Sequence, residues 1–373
     1  MNLERFKNSP SGRLLKVGQG VAAYRAFVPN MLPPSLNLDA KLIRILSEAD
    51  RALGELAGLG RTMPNPDLLI RPFIRREAVL SSRIEGTQTD ITDLYLYEAR
   101  QMAVPGMKPA STDADAREVL NYVRALEYGL ERIQTLPVSL RLVRELHAHL
   151  MEGVRGEKAT PGEFRHSQNW IGKAGCTLND ADYIPPPVPE MNDDLNAFEK
   201  YLHSGNDHPP LVRLAFIHYQ FEAIHPFLDG NGRIGRLLLS LLLVNWKLLP
   251  LPLLYLSAFF ERNRRDYYDL LRAVSESGAW REWLAFFLRG VAEQSREANQ
   301  MAKKLQDLQL KWRSELQKTH LPALVLGIAD HLFQQPFVSA AELQKQFGIS
   351  HPTAMQSLKR LVDKGILKEI TGK

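Results

Sequence analysis

His225-Pro226-Phe227-Leu228-Asp229-Gly230-Asn231-Gly232-Arg233-Ile234-Gly235-Arg236 separates two apolar stretches, Leu211 to Ala223 and the leucine-rich run that starts at Leu237. Gly230 and Gly232 can take positive φ and let backbone N–H groups converge into a nest for an anion. A helix is expected to start at about Gly232, so its unpaired N–H groups and positive dipole end point at the same place, which suits phosphate. Arg233 and Arg236 share one face of that helix and can fork onto phosphate oxygens. Cations near a helix N-terminus oppose the dipole, and a local rule broken in this way points to function. Asp229 can hold a magnesium ion between phosphates, because magnesium takes few protein carboxylates. His225 can serve as a general base, and Pro226 and Phe227 can stiffen the loop. A lone Gly-Asn-Gly would be read as a turn, but the full set ahead of an apolar helix reads as phosphoryl-type chemistry.

The rest of the chain sets the frame for this loop. Its 373 residues are a prior for two or three domains, and 45% hydrophobic with 24% charged residues is a globular, not a disordered, composition. The single cysteine, Cys176, excludes an intramolecular disulfide framework and a Cys-cluster zinc site, so a reducing cytoplasm is the expected compartment. The formal charge of +5 is mild for this length. Met1 to Gly20 lacks the apolar core of a secretory signal, which makes the start read as mature. Leu237 to Leu256 is interrupted by Asn245, Lys247, Pro250 and Pro252, so it reads as a buried helix and a turn with no membrane role.

Apolar residues recur mostly at helical spacing, so the fold class is mainly α. After an irregular, partly extended start, Asn37 is expected to cap a helix that stops at Gly58-Leu59-Gly60, and Asp67 a second one stopped by Gly86. Further amphipathic helices are expected from Ala114 to Ile133, Ser139 to Met151, Met191 to His203 and Leu211 to Ala223. The connection from Thr160 to Pro189 is too long for a simple turn, and alternation from Gln168 to Ile171 suggests a short hairpin arm. Glu293 to Lys318 reads as a connector helix. Beyond Pro322 follow a helix, a second ending at Phe347-Gly348-Ile349, a third from Ser350 or Pro352 to Asp363, and a strand from Ile366 to Ile370, the pattern of a winged helix-turn-helix.

The string from His225 to Arg236 resembles the Fic family signature His-x-Phe-x-Asp/Glu-Gly-Asn-Gly-Arg-x-x-Arg at every defined position. The resemblance implies a helical core with a small β-hairpin flap, and transfer of AMP from ATP to a hydroxyl side chain (Ser, Thr or Tyr) of a target protein and of the enzyme itself. It implies His225 as the base and Asp229 as the magnesium ligand. Gly230, Asn231, Gly232 and Arg233 would hold the α- and β-phosphates, and Arg236 the γ-phosphate. Doc-type kinases carry lysine in place of the second glycine, so Gly232 favours AMP transfer over phosphorylation. The loop from Arg165 to Pro187 would be the flap, with Ile171 and Gly172 near the nucleotide. Tyr267 and Tyr268 resemble a stretch that lies near adenine in the family, and as aromatics they suit a core equally. Trp170, His147 and His149 read as structural.

Ser81-Ser82-Arg83-Ile84-Glu85-Gly86 resembles the family's inhibitory motif, which implies that Glu85 pairs with Arg236 and blocks the γ-phosphate; in some relatives the same glutamate also assists removal of AMP. The implied division is an N-terminal helical domain over 1–112, a Fic core over 113–298, and a connector with the winged helix over 299–373. In the tail, Lys345, Lys359, Arg360, Lys364, Lys368 and Lys373 outnumber three acids. The rival reading is therefore a DNA-binding regulator that uses the Fic core as a nucleotide sensor. The sequence leaves the oligomeric state open.

Overall fold

Helices form wherever apolar residues recur at helical spacing, while the paired strands form in the segment that reads as irregular. The structure, a computed structural model, describes residues 1–20, 23–63, 66–103, 114–154, 160–173, 175–205, 208–319 and 321–370. A short helix α1 (Leu3–Phe6) precedes an antiparallel pair, β1 (Gly12–Val17) and β2 (Tyr24–Pro29), with Gly12 opposite Pro29. Helix α2 (Ala40–Thr62) is capped by Asp39, not Asn37: the Asp39 carboxylate accepts the Leu42 N–H at 2.9 Å. It also runs through the expected glycine stop, and Gly60 lies where the helix packs closely on Pro250 and Leu253, so that a side chain there would be tight.

Helix α3 (Asp67–Ile84) starts at Asp67 after Pro66, so Asp67 is its first residue and not its cap. Its end does come at a glycine, Gly86, with φ 102°. Helices α4 (Ile91–Ala103), α5 (Ala114–Arg132) and α6 (Leu140–Leu150) follow, then α7 (Val188–His203) and the two helices that carry the loop, α8 (Pro210–Ile224) and α9 (Asn231–Asn245). Helix α8 is buried on nearly every side, and the indole N–H of Trp283 donates to its Ala215 carbonyl at 3.0 Å. After α10 (Ser257–Arg262) and α11 (Arg264–Ser277), the long α12 (Trp280–Lys318) packs back along α2. One buried cluster runs from Leu42 to Ala302.

A second, smaller cluster joins Leu316 at the end of α12 to α13 (Ala323–His331), α14 (Ala340–Phe347) and α15 (His351–Asp363). Gly348, at φ 62°, makes the turn between α14 and α15, and Ser350 caps α15. The strand expected over 366–370 is not formed, so the described residues hold a helix-turn-helix without its wing. The hairpin arm expected near Gln168 to Ile171 is likewise reduced to one antiparallel bridge, Ile171 with Tyr183; the strand pair lies at the N-terminus instead. Among the described residues no helix is long and apolar enough to cross a membrane.

Helix α3 is fastened to α4 by a forked ion pair in which Arg75 Nε and Nη2 each donate to Glu98 at 2.8 Å, both residues being buried. Arg75→Met strands the buried carboxylate, so it should lower stability by about 3–5 kcal/mol in denaturant unfolding. Arg75→Met with Glu98→Met should recover most of that loss, whereas a double variant as unstable as the single one would contradict a cost rooted in the unpaired charge.

Candidate active site

The loop is built by main-chain geometry. His225 ends α8 in the left-handed region (φ 50°, ψ 61°), and Gly230 starts α9 in the same region (φ 78°). Asn231 is spent on the loop itself: its Oδ1 accepts the Phe227 N–H and its Nδ2 donates to the Phe227 carbonyl, both at 2.8 Å. Phe227 is fully buried and stacks on His147, with ring centroids 3.8 Å apart. His147 Nδ1 accepts the Gly162 N–H at 2.9 Å, so its proton sits on Nε2, which donates to the Asp229 carbonyl at 3.0 Å. Burial pushes the His147 pKa down to about 4. His147 is thus a neutral brace for the loop, in line with its structural reading.

The first intrahelical bond of α9 runs from the Ile234 N–H to the Gly230 carbonyl (3.0 Å), so the N–H groups of Asn231, Gly232 and Arg233 have no intrahelical acceptor. These donors are the free N–H groups that any helix N-terminus presents. Gly232 does not take positive φ, however. It lies in regular helix, and its missing side chain leaves room for the ion pair: a Cβ there would sit 2.4 Å from Glu85 Oε1 and 2.9 Å from Arg236 Nη1, so that one of these side chains would have to move.

Both arginines are buried. Arg233 lies 3.5 Å from Glu118 Oε2 and 3.6 Å from Asp229 Oδ1. Arg236 donates from Nε to Ser81 Oγ (2.9 Å) and from Nη2 to the Ser81 carbonyl (3.0 Å) and to Glu85 Oε1 (2.6 Å). The residues of the N-terminal motif and the last arginine of the loop therefore meet. Burial raises the Glu85 pKa, but the charge and hydrogen bond of Arg236, with smaller pushes from Arg233 and His225, together outweigh it, and the net shift is downward. The pair accordingly holds as pH falls to the ordinary carboxylate value of 4.5 and is lost only below it.

The His225 ring is half-buried. Its Nδ1 lies 3.3 Å from the Glu222 carbonyl, an acceptor, which places the ring proton on Nδ1 and leaves Nε2 as a free base. Burial, with a smaller push from Arg165, lowers its pKa to about 4. Glu222, which the sequence reading missed, aims a buried Oε1 with no hydrogen-bond partner at the space kept by Gly235. Burial raises its pKa to about 7. Glu77 is raised to about 7 by the same cause, although Ser257, Arg236 and Tyr122 oppose the shift.

The flap base is tied to the loop by Arg165 and Asn169, also missed in the sequence because their partners are main-chain carbonyls. Ile171 and Gly172 are exposed beside Trp170, and Leu228 is exposed on the loop. Tyr267 is not exposed. It is fully buried, with its hydroxyl 2.8 Å from His218 Nε2, and Tyr268 is the exposed member of the pair at 39%.

The Fic/DOC family N-terminal model matches residues 43–131 and the Fic/DOC family model residues 137–243, together more than half of the chain. The chain belongs to the Fic/DOC family. It is 29% identical over 197 residues to the Protein adenylyltransferase Fic of Drosophila persimilis, covering 52% of this chain and 34% of that protein. Its namesake from Nematostella vectensis is 27% identical over 213 residues, covering 56% and 45%. The matched part thus spans less than half the length of these curated relatives. A Fic family protein from Desulfovibrio desulfuricans G20 shares the fold with a TM-score of 0.57 at 21% identity, covering 89% of this chain and 92% of that one. A Fic-1 segment from C. elegans gives 0.53 at 20% identity, covering 71% and 74%.

For a metal, this Fic loop offers one half-exposed carboxylate, Asp229, whose Oδ1 accepts the Gly230 N–H at 2.6 Å. Among the described residues no group of three or more His, Cys, Asp or Glu could hold an ion. That donor set fits magnesium shared with a ligand's phosphates, not a metal held by protein alone. In an NMR titration the His225 ring should protonate with a midpoint near 4, the value that burial imposes. A midpoint near the ordinary 6.5 would show that the ring is solvated and the loop open.

Proposed function

We propose that this Fic chain transfers AMP from ATP to a hydroxyl side chain of a target protein and to itself, and that the Glu85–Arg236 pair holds the activity in check. The observation that supports it is the conjunction of a free His225 Nε2, an α9 N-terminus with three orphan N–H groups, and an arginine whose guanidinium is already taken. Relatives named as protein adenylyltransferases carry the same family domain.

In this reading the N–H groups of Asn231, Gly232 and Arg233 receive the α- and β-phosphate oxygens, and Arg236 receives the γ-phosphate. Asp229 would hold magnesium, which neutralises phosphate charge when bound. The target hydroxyl oxygen attacks the α-phosphorus, the bond to the β-phosphate oxygen breaks, and pyrophosphate leaves. The hydroxyl proton passes to His225 Nε2. The bridge from Ile171 to Tyr183 uses the Ile171 main chain on its inner side, so strand alternation turns the main chain of Trp170 and Gly172 outward, where an extended target segment can add. A lone cysteine, half-buried as Cys176, suits a reducing cytoplasm.

Inhibition follows from competition. Glu85 Oε1 and a γ-phosphate oxygen need the same Nη2, and the carboxylate repels the phosphate as well. The same carboxylate, once displaced, can orient a water for removal of AMP. Incubation with α-labelled and γ-labelled ATP in parallel tests the reading. Glu85→Gly should raise self-labelling from the α position by about tenfold or more, the effect of removing about 1.4 kcal/mol of competition. His225→Ala should abolish it. Label from the γ position, or equal labelling of Glu85→Gly and the unaltered chain, would sink it.

A further inference from the structure

Arg165 is a cation sealed in the protein, 1% exposed, and every hydrogen bond it makes goes to a main-chain carbonyl. Its Nε donates to the His225 carbonyl (3.0 Å), Nη1 to Ser167 (3.3 Å) and Nη2 to Pro186, while its own N–H donates to the Pro226 carbonyl at 2.9 Å. Burial lowers its pKa to about 10, so it is charged at neutral pH. Ser167 and Pro186 are the two ends of the flap, and His225 and Pro226 open the loop. Asn169 adds a second set of contacts, with Nδ2 donating to the carbonyls of His225 (3.3 Å) and Phe227 (2.7 Å).

His225 needs such a hold. Its φ of 50° is disfavoured for a residue with a side chain, and rotation back to the ordinary helical region would swing the imidazole away from the α9 N-terminus. The carbonyl that must stay fixed for this turn to persist is the one that Arg165 and Asn169 share. Burying a guanidinium without a carboxylate is costly, and an apolar residue would fill the volume at less expense. What the charge gains is the ability to grip three carbonyls from two segments with one rigid fork.

We propose that Arg165, with Asn169, is a positioning residue that locks the flap to His225, so that the imidazole is aimed only while both ends of the flap are seated. The ordering of the flap by a target segment and the placement of the base are then a single event. This consequence rests on the AMP-transfer reading; the lock itself does not.

The test uses the full chain carrying Glu85→Gly, with Arg165→Met, Arg165→Lys or Asn169→Ala added. Three quantities are read: exchange of the Ile171 and Tyr183 amides, which pair with each other's carbonyls, the NMR signals of the His225 ring, and the self-labelling rate at saturating ATP. Arg165→Met and Asn169→Ala should speed exchange at both amides, shift the His225 ring signals and cut labelling by about a hundredfold, the usual cost of a misplaced catalytic group. The dissociation constant for ATP should stay unchanged, because neither residue faces the phosphate nest. Arg165→Lys should fail to rescue, since an ammonium cannot span the three carbonyls. Unchanged ring signals alongside faster amide exchange would overturn the lock, as would full labelling in either variant. Should Arg165→Met fail to fold, Asn169→Ala decides, because it releases the same carbonyl without disturbing the buried cation. Should the Glu85→Gly parent transfer no AMP, the functional reading fails, while exchange and ring signals still decide on the lock.

Discussion

Two guanidiniums within the first two turns of α9 are the constraint around which the molecule is arranged. They stand against the positive end of the helix and are buried, so each must meet an acceptor supplied by another part of the chain. Arg233 is met by Glu118 from α5 and by Asp229 from its own loop, and Arg236 by Ser81 and Glu85 from α3. The N-terminal helices are therefore joined to the start of α9 through charge, beyond the apolar core that they share with it.

Space around this centre is kept by glycines for different reasons. Gly230 turns the chain in the left-handed region, Gly232 admits Glu85 and Arg236, and Gly235 admits the Glu222 carboxylate. The site thus carries, besides the paired Glu85, the carboxylate of Glu222 with its orphan oxygen, and Arg236 acts on Glu77 as well. Loss of the Glu85 contact leaves the cation beside a remaining acid, not in a neutral pocket. On the far side of His225, the base of the flap and the loop are bound by Arg165 and Asn169, so His225 lies between two elements.

The geometry of the loop was legible because its residue types and their order act locally: a glycine before a helix, a histidine just ahead of it, arginines at helical spacing. The pairing of Glu85 with Arg236 spans 151 positions and was readable only through the family motif. Arg165 and Glu222 gave no signal, since one is held by carbonyls that any sequence provides and the other faces a void left by Gly235. The start reads as partly extended but its strand pairing was not foreseen, because Gly12 to Val17 alternates weakly and the cluster that buries it draws on Phe6 and Tyr183, far apart in the chain. Tyr267 and Tyr268 resemble a family stretch near adenine and suit a core equally; Tyr267 is buried with its hydroxyl against His218 of α8, and Tyr268 is at the surface. The helix-turn-helix was visible from Gly348 and the Ser350 cap, but a strand over 366–370 needs a partner that the described residues do not supply.

The central claim is that Glu85 and the terminal phosphate of a nucleotide compete for one guanidinium. Calorimetric titration of ATP and of AMP into chains carrying His225→Ala, with and without Glu85→Gly, measures that competition without turnover. The account predicts that Glu85→Gly tightens ATP binding by about tenfold, or about 1.4 kcal/mol, and leaves AMP, which lacks the γ-phosphate, unaffected. Equal ATP affinities in the two chains, or an equal gain for AMP, would contradict it.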